Sequence, residues 1–337
     1  MSVVVRELCL PDDIDRIVAF HNANRAVPAT RRRFEWAYLE NPYGLARAWA
    51  AEDAGTLVGV GVVFPRLVRL PDGRRVRAWT TGDLSVSVSH RRQGIASALR
   101  RVTRSAVDGG DSEMLFAIPN AQATGVHEKA GYWQLGRLER FVRLLAPPVP
   151  EPLRRLTRST VQLFIRGCPG PVPAYDIVEP DADDATLASL GDLYERAAPS
   201  LGATVVRSGA YLRWRFLNNP RAPARLLILD TGRRPRAYAA VVDRGVSLYL
   251  RDWIVEDSDA VPMLVRAVVD HANGLGKAWL SAAALHAHPH AQALLGCGFR
   301  RRHDATDVKL YVPADKPWHD DVRVAAQWYM TGGDPDV

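Results

Sequence analysis

A nine-residue stretch occurs twice in this chain. Phe34-Glu35-Trp36-Ala37-Tyr38-Leu39-Glu40-Asn41-Pro42 returns as Leu212-Arg213-Trp214-Arg215-Phe216-Leu217-Asn218-Asn219-Pro220, with Trp36 and Trp214 standing 178 positions apart. The surroundings repeat as well. Each copy is followed by an apolar strand-like run, a turn around Gly55 or Gly232, and a second run at 57–64 or 237–242. Each is preceded by a short strand, 3–7 or 175–178, and then by an acidic helix start at Asp12-Asp13 or at Asp181, Asp183 and Asp184, where carboxylates favour a helix N-terminus. Long internal repeats of this kind force a duplicated architecture. With 337 residues, about twice the commonest domain size, the chain is expected to fold as two related βα-rich units.

Prolines mark the division. Pro147, Pro148, Pro150 and Pro152 close the first unit, and Pro169, Pro171 and Pro173 open the second. The expected boundaries are 1–146 and 174–313, with 147–173 as a connector whose apolar stretch 153–165 packs down, and 314–337 as a tail whose polar, Gly-containing closing segment 328–334 covers the cleft or frays. The paired aromatics Trp36/Tyr38 and Trp214/Phe216 are expected in the core.

Composition excludes several classes. At 47% hydrophobic and 24% charged residues the chain can bury ordinary cores, which rules out collagen-like and disordered behaviour. Its apolar runs, such as 57–64, fall far short of the roughly 20 residues that span a membrane. Arg6 and Glu7 interrupt the N-terminus before a secretory apolar region forms, so a cytoplasmic location is expected. Cys9, Cys168 and Cys297 are few and scattered, and read as small buried hydrophobes. Of 44 basic residues only Lys129, Lys277, Lys309 and Lys316 are lysine, a bias that GC-rich coding explains. The net charge of +7 suits a phosphate-bearing ligand but is too scattered to argue for nucleic acid.

Chemistry concentrates in the first half. Residues 80–88 alternate apolar Leu84, Val86 and Val88 with Ser85 and Ser87, the period of a half-buried strand. The strand runs into Arg91-Arg92-Gln93-Gly94-Ile95-Ala96, after which Ile95, Leu99, Val102 and Ala106 recur at helical spacing. A strand, a basic glycine-containing turn and a helix N-terminus aim backbone N–H groups at one spot, which suits a pyrophosphate. A second strand at 114–118 then leads to Asn120, Ala123, Glu128, Lys129, Gly131 and Tyr132.

These two motifs, in this order and spacing, resemble the GNAT superfamily of acyl-CoA-dependent N-acetyltransferases. The superfamily turn is Gln or Arg, two residues, Gly, one residue, then Gly or Ala, which Arg91, Gly94 and Ala96 fit. The resemblance implies an α/β (α+β) fold made of tandem GNAT units, each a twisted, mostly antiparallel sheet flanked by helices. It implies acetyl-CoA as cosubstrate, with pantetheine against the backbone of Leu84 and Val86, pyrophosphate on the turn Arg91, Arg92, Gln93, Gly94, Ile95 and Ala96, and Asn120 nearby. It implies no metal. Two departures stand out: Val88 replaces a common proline, and the tyrosine often used to protonate the leaving thiolate falls at His127.

The second half keeps the plan without the motif. Glu256-Asp257-Ser258-Asp259 leads directly into a helix, and carboxylates there would repel phosphates, so only the first unit is expected to bind CoA. Tandem units with an active first copy resemble the enhanced-intracellular-survival type of acetyltransferase, whose terminal base is not carried over to Val337 because the third domain is missing here.

Acyl transfer to an amine needs a neutral nucleophile, an oxyanion site and a proton for the thiolate. Asp83 is a candidate base or amine ligand. By strand alternation Thr80 and Gly82 share the face of Val86 while Asp83 points away, unless the strand bulges. His127 is the candidate general acid, and Glu128 reads better as a solvated helix carboxylate. His286, His288 and His290 lack a further ligand at metal spacing and read as surface or cleft-lining histidines. The expected activity is transfer of an acetyl group to a primary amine of a small molecule, without nucleic acid or membrane partners. An aminoacyl-tRNA-dependent transferase and a non-catalytic acyl-CoA-binding regulator are the alternatives.

Overall fold

Trp36 and Trp214 lie face to face in the folded chain. Each indole N–H donates to the other's carbonyl oxygen, at 2.7 Å and 2.8 Å, and the rings stack at 5.2 Å. Such reciprocity means that the two copies of the repeat meet about a pseudo-twofold axis. The computed structural model describes residues 3–25, 27–146, 170–179, 181–230 and 234–335. The connector expected at 147–173 therefore lies mostly outside the described residues, as do Cys168, Gly232 and Val337.

The first half runs β1 (Val4–Leu8), α1 (Ile14–Ala23), α2 (Arg31–Leu39), β2 (Arg47–Asp53), β3 (Thr56–Arg69), β4 (Arg75–Val86), α3 (Ile95–Asp108), β5 (Met114–Ala117), α4 (Ala121–Lys129) and β6 (Trp133–Leu144). The second runs β7 (Asp176–Val178), α5 (Asp184–Leu201), β8 (Thr204–Val205), α6 (Gly209–Leu212), β9 (Arg225–Asp230), β10 (Pro235–Arg244), β11 (Ser247–Val255), α7 (Ala260–Gly274), β12 (Trp279–Leu285), α8 (Pro289–Gly296) and β13 (Arg300–Tyr311). Side-chain caps start several helices. Thr30, Asn120, Asp183 and Ser208 each accept from the backbone N–H three residues on, as the small polar residues at those positions predict.

All of these strands join one sheet, in the order β1-β2-β3-β4-β5-β13-β6-β12-β11-β10-β9-β7, with β8 appended to β3. The order is palindromic. Separate sheets, one per unit, do not form: β13 enters between β5 and β6, and β6 between β13 and β12. Exchange of the closing strands leaves no edge between the halves. Helices α1 and α2 pack on one face, where Phe34, Trp36 and Tyr38 join Met114 and Phe116 in the main core. Helix α3 packs on the other, where Ile95 and Leu99 meet Trp49, Trp79, Leu115 and Tyr311. Gly59 brings that helix close, because a Cβ there would stand 2.8 Å from Ile95.

The tail is buried. Trp328, Tyr329, Met330 and Thr331 are no more than 1% exposed, so the segment neither frays nor lies open over the first-half cleft. Cys9 is exposed and free, which corrects its reading as a small buried hydrophobe, whereas Cys297 is buried as expected and is disulfide-bonded.

Candidate functional site

Strands β4 and β5 pair in parallel only from Ala78↔Met114 to Thr80↔Phe116. Beyond Thr80, β4 continues against β3 alone, and the two strands part into a wedge. Ser87 donates to Val58 O at 2.9 Å and Val86 stands opposite Gly59, so antiparallel alternation turns the N–H and C=O of Val86 toward the wedge. The Val86 carbonyl accepts from Arg91 Nε at 3.2 Å, and Leu84 and Val86 are both half-buried there.

At the mouth of the wedge the chain enters α3 through Arg92 and Gly94, both with positive φ, 63° and 81°. Gly94 is the N-cap and supplies no side-chain acceptor, so the first amides of α3, from Ile95 and Ala96 onward, have neither an intrahelical partner nor a cap. Arg91, Arg92 and Gln93 are exposed around them. No atom lies within 4 Å of where a Gly94 Cβ would stand. This is an open, electropositive cradle for an anion. Asn120 borders the wedge, but its Oδ1 caps α4 through Ala123 N at 3.0 Å, leaving only its amide group for a ligand.

The two catalytic candidates fall on opposite faces. Strand β4 does bulge: the register slips between Val60 and Val62, and Asp83 takes φ 41°. Its carboxylate thereby turns to the α1/α2 face, where it accepts from Tyr38 Oη at 2.8 Å and from Arg33 and Arg25. The two guanidiniums hold it far below the usual carboxylate range despite burial. Such a carboxylate does not take a proton from an amine, which removes the role of base and leaves that of ligand.

His127 reaches β4 from the other face. Its Nδ1–H donates to Ala123 O at 2.9 Å, and its Nε2 accepts from Thr81 Oγ1 at 3.1 Å. Burial, with the nearby Arg100 charge, pushes the imidazole down to about 3. The ring is neutral at physiological pH and holds no proton at Nε2, so the expected role of general acid is not supported by this arrangement. Glu128 is paired with Lys309 Nζ at 2.7 Å, a buried lysine that the second half inserts through β13.

Sequence reasoning missed three features: Arg100, the Arg25–Arg33 pair and the tail. Arg100, buried on α3, donates to Val62 O and Gly82 O and so braces the bulge from beneath. Arg25 and Arg33 carry no motif, and one polar arginine resembles the next in a chain so rich in them. The third is the tail. In the second half, β11 and β12 pair in parallel up to Leu250↔Ala282 and then part as β4 and β5 do. The tail fills that wedge. Leu285 N donates to Met330 O at 2.9 Å, Gly332 N donates to Ala283 O at 2.8 Å, and Tyr329 Oη donates to Trp253 O on β11. Asp334 pairs with buried Arg207 at 2.8 Å, which also holds Asp252 at 3.2 Å. At the start of α7, Asp257 Oδ1 accepts from Ala260 N at 3.0 Å, putting a carboxylate where the first half has an open cradle.

His288 and His290, expected near the surface, are buried beneath Tyr329 at ring distances of 5.0 Å and 5.7 Å, while His286 stays near solvent and donates from Nδ1 to Arg137 O. Among the described residues no group of three or more His, Cys, Asp or Glu side chains is placed to hold a metal. Four imidazoles, His21, His127, His288 and His290, are thus desolvated, at about 4, 3, 3 and 4. Above pH 6.5 they are neutral in folded and unfolded chains alike. Below it the unfolded chain takes up protons that the folded one refuses, so each costs up to about 3 kcal/mol by pH 4. Chemical denaturation is expected to show a flat midpoint from pH 8 to 7 and a steep fall between 6.5 and 4. A midpoint unchanged down to pH 4 would contradict the burial.

A parallel pair that splays beside a helix-start cradle is the arrangement that the sequence resemblance implies. Residues 8–134 match the family model of the acetyltransferase (GNAT) domain. The first half of the chain thus carries a GNAT acetyltransferase domain. Solved structures show the same fold at low identity. A protein of unknown function from Enterococcus faecalis, described as a probable N-acyltransferase, is 14% identical, with a TM-score of 0.70 over 93% of this chain and 73% of that one. A GCN5-related N-acetyltransferase from Anabaena variabilis gives 14%, 0.67, 92% and 73%. Eis1 from Mycobacterium abscessus gives 16%, 0.60, 92% and 73%. No curated protein matches in sequence. Among the described residues no helix is long and apolar enough to cross a membrane.

Proposed function

We propose that this protein transfers an acetyl group from acetyl-CoA to a primary amine of a small molecule, and that it does so in the first half only. The observation that carries the reading is the contrast between the two wedges: one opens onto uncapped amides at Gly94, Ile95 and Ala96, and the other is filled by the tail and capped by Asp257. We take 1–146 as the CoA-binding unit, 147–173 as the connector, 174–313 as its degenerate partner and 314–337 as the tail that seals it.

In this reading the turn holds the pyrophosphate, and Leu84 and Val86 receive the pantetheine amides. The acceptor nitrogen attacks the thioester carbonyl, the C–S bond breaks, and the nitrogen loses a proton as the thiolate gains one. Asp83 and His127 then position groups on opposite sides of β4, and the protons pass through water. An assay of CoA release across a panel of small primary amines tests the proposal. Turnover with one or more amines supports it, and acetyl-CoA binding without release across a broad panel would reverse it in favour of a non-catalytic binding role.

A further inference from the structure

Asp83 holds more positive charge than its burial requires. Arg33 already neutralises it: this guanidinium is fully buried, reaches both carboxylate oxygens, and stands 5.0 Å from the Phe34 ring. Arg25 is a second cation on the same oxygen, Oδ1, brought from just beyond the end of α1. Its side chain is 25% exposed, against 0% for Arg33. Beside them lies His21, wholly buried and stacked on Phe34 at 5.8 Å, with neither ring nitrogen hydrogen-bonded among the described residues. Asp83 acts electrostatically on that ring. A buried imidazole without a partner is a hydrogen-bond acceptor held in reserve.

We propose that Arg25 occupies, in the ligand-free protein, the place of a cationic group of the acceptor, which displaces it and docks on Asp83. The proposal rests on the acyl-transfer reading above and specifies its substrate. Exchange of one cation for another keeps the site's charge constant, so a buried carboxylate is never left with less compensation than it has now. Asp83 leaves its guest protonated, whereas the attacking nitrogen must be neutral. The docked group and the nucleophile are therefore different nitrogens. The acceptor is a compound with at least two basic centres, one anchored on the α1/α2 face of β4 and one presented to the wedge.

Arg25→Ala should vacate the anchor without burying an unpaired charge, since Arg33 and Tyr38 remain on Asp83. The probes are methylguanidinium, 1,4-diaminobutane, and tetramethylammonium as a cation that has no N–H to donate. Methylguanidinium and 1,4-diaminobutane are expected to raise the thermal midpoint of Arg25→Ala by about 2 °C or more at concentrations near ten times their Kd, with no such rise in the wild type or with tetramethylammonium. Arg25→Lys, which refills the site with an ammonium, should behave like the wild type. In turnover, Arg25→Ala should lower KM for 1,4-diaminobutane by about tenfold and leave KM for n-butylamine unchanged. Equal thermal responses in Arg25→Ala and wild type, or equal responses to all three cations, would overturn the proposal. Titration of both proteins with acetyl-CoA separates the two readings: failure to bind acetyl-CoA removes the acyl-transfer reading, while the cation responses still decide the fate of the Asp83 site.

Discussion

Gly94→Glu is expected to abolish acetyl-CoA binding, by about 100-fold or more, while leaving the chain folded. The substitution adds no clash within the protein, because nothing lies within 4 Å of the new Cβ. It does add strain at φ 81°, about 1 kcal/mol for a non-glycine residue, and a carboxylate at a helix N-terminus returns part of that. Stability should therefore change little, and the lost affinity reports on the ligand. Gly94→Ala provides the control, since it has the same backbone strain without the charge. Calorimetric titration reads both. Wild-type affinity in Gly94→Glu would mean that the pyrophosphate lies elsewhere.

The second large effect concerns the sealed wedge. Arg207 is the only described cation bonded to Asp252 and Asp334, and Thr331 and Tyr238 complete their hydrogen bonds. Arg207→Ala leaves two buried carboxylates facing each other and is expected to cost about 3–5 kcal/mol. The sign of its pH dependence follows. Burial already raises the Asp334 carboxyl against the pull of Arg207, and losing that cation raises it further. A group with a raised folded pKa contributes stability below its unfolded pKa and loses it as pH rises. The deficit relative to wild type should thus be largest near pH 8 and shrink on acidification. Denaturation midpoints of the two proteins at pH 8 and pH 5 check this, and a deficit that grows toward pH 5 would contradict the arrangement. Acetyl-CoA affinity, governed by the other half, should be unaffected wherever the variant is folded.

The duplication and the strand–turn–helix cradle were readable in the sequence, the first as a repeat and the second as Arg91 to Ala96 after an alternating strand. The bulge at Asp83 was not, because Asp83 keeps step with the polar Ser85 and Ser87 and regular alternation gives no sign of the extra residue. Exchange of β6 and β13 was not readable, because both halves end in a strand of the same character and local pattern does not say whose neighbour it becomes. The tail misled for a related reason. Trp328 to Asp334 looks polar and flexible, but Gly332 and Gly333 are there to let the chain pass close to Tyr249 and Phe216 in the second wedge. For His127 the sequence position says nothing of Thr81, of Ala123 O, or of the desolvation that keeps the ring neutral.

Counting the acetyl-CoA molecules bound per chain tests the central claim most directly. Calorimetric titration of the wild type should give a stoichiometry of one, and Gly94→Glu should give none. Two per chain, or one that survives Gly94→Glu, would show that the tail-filled second wedge binds the cosubstrate after all, and the assignment of the site to the first half would be wrong.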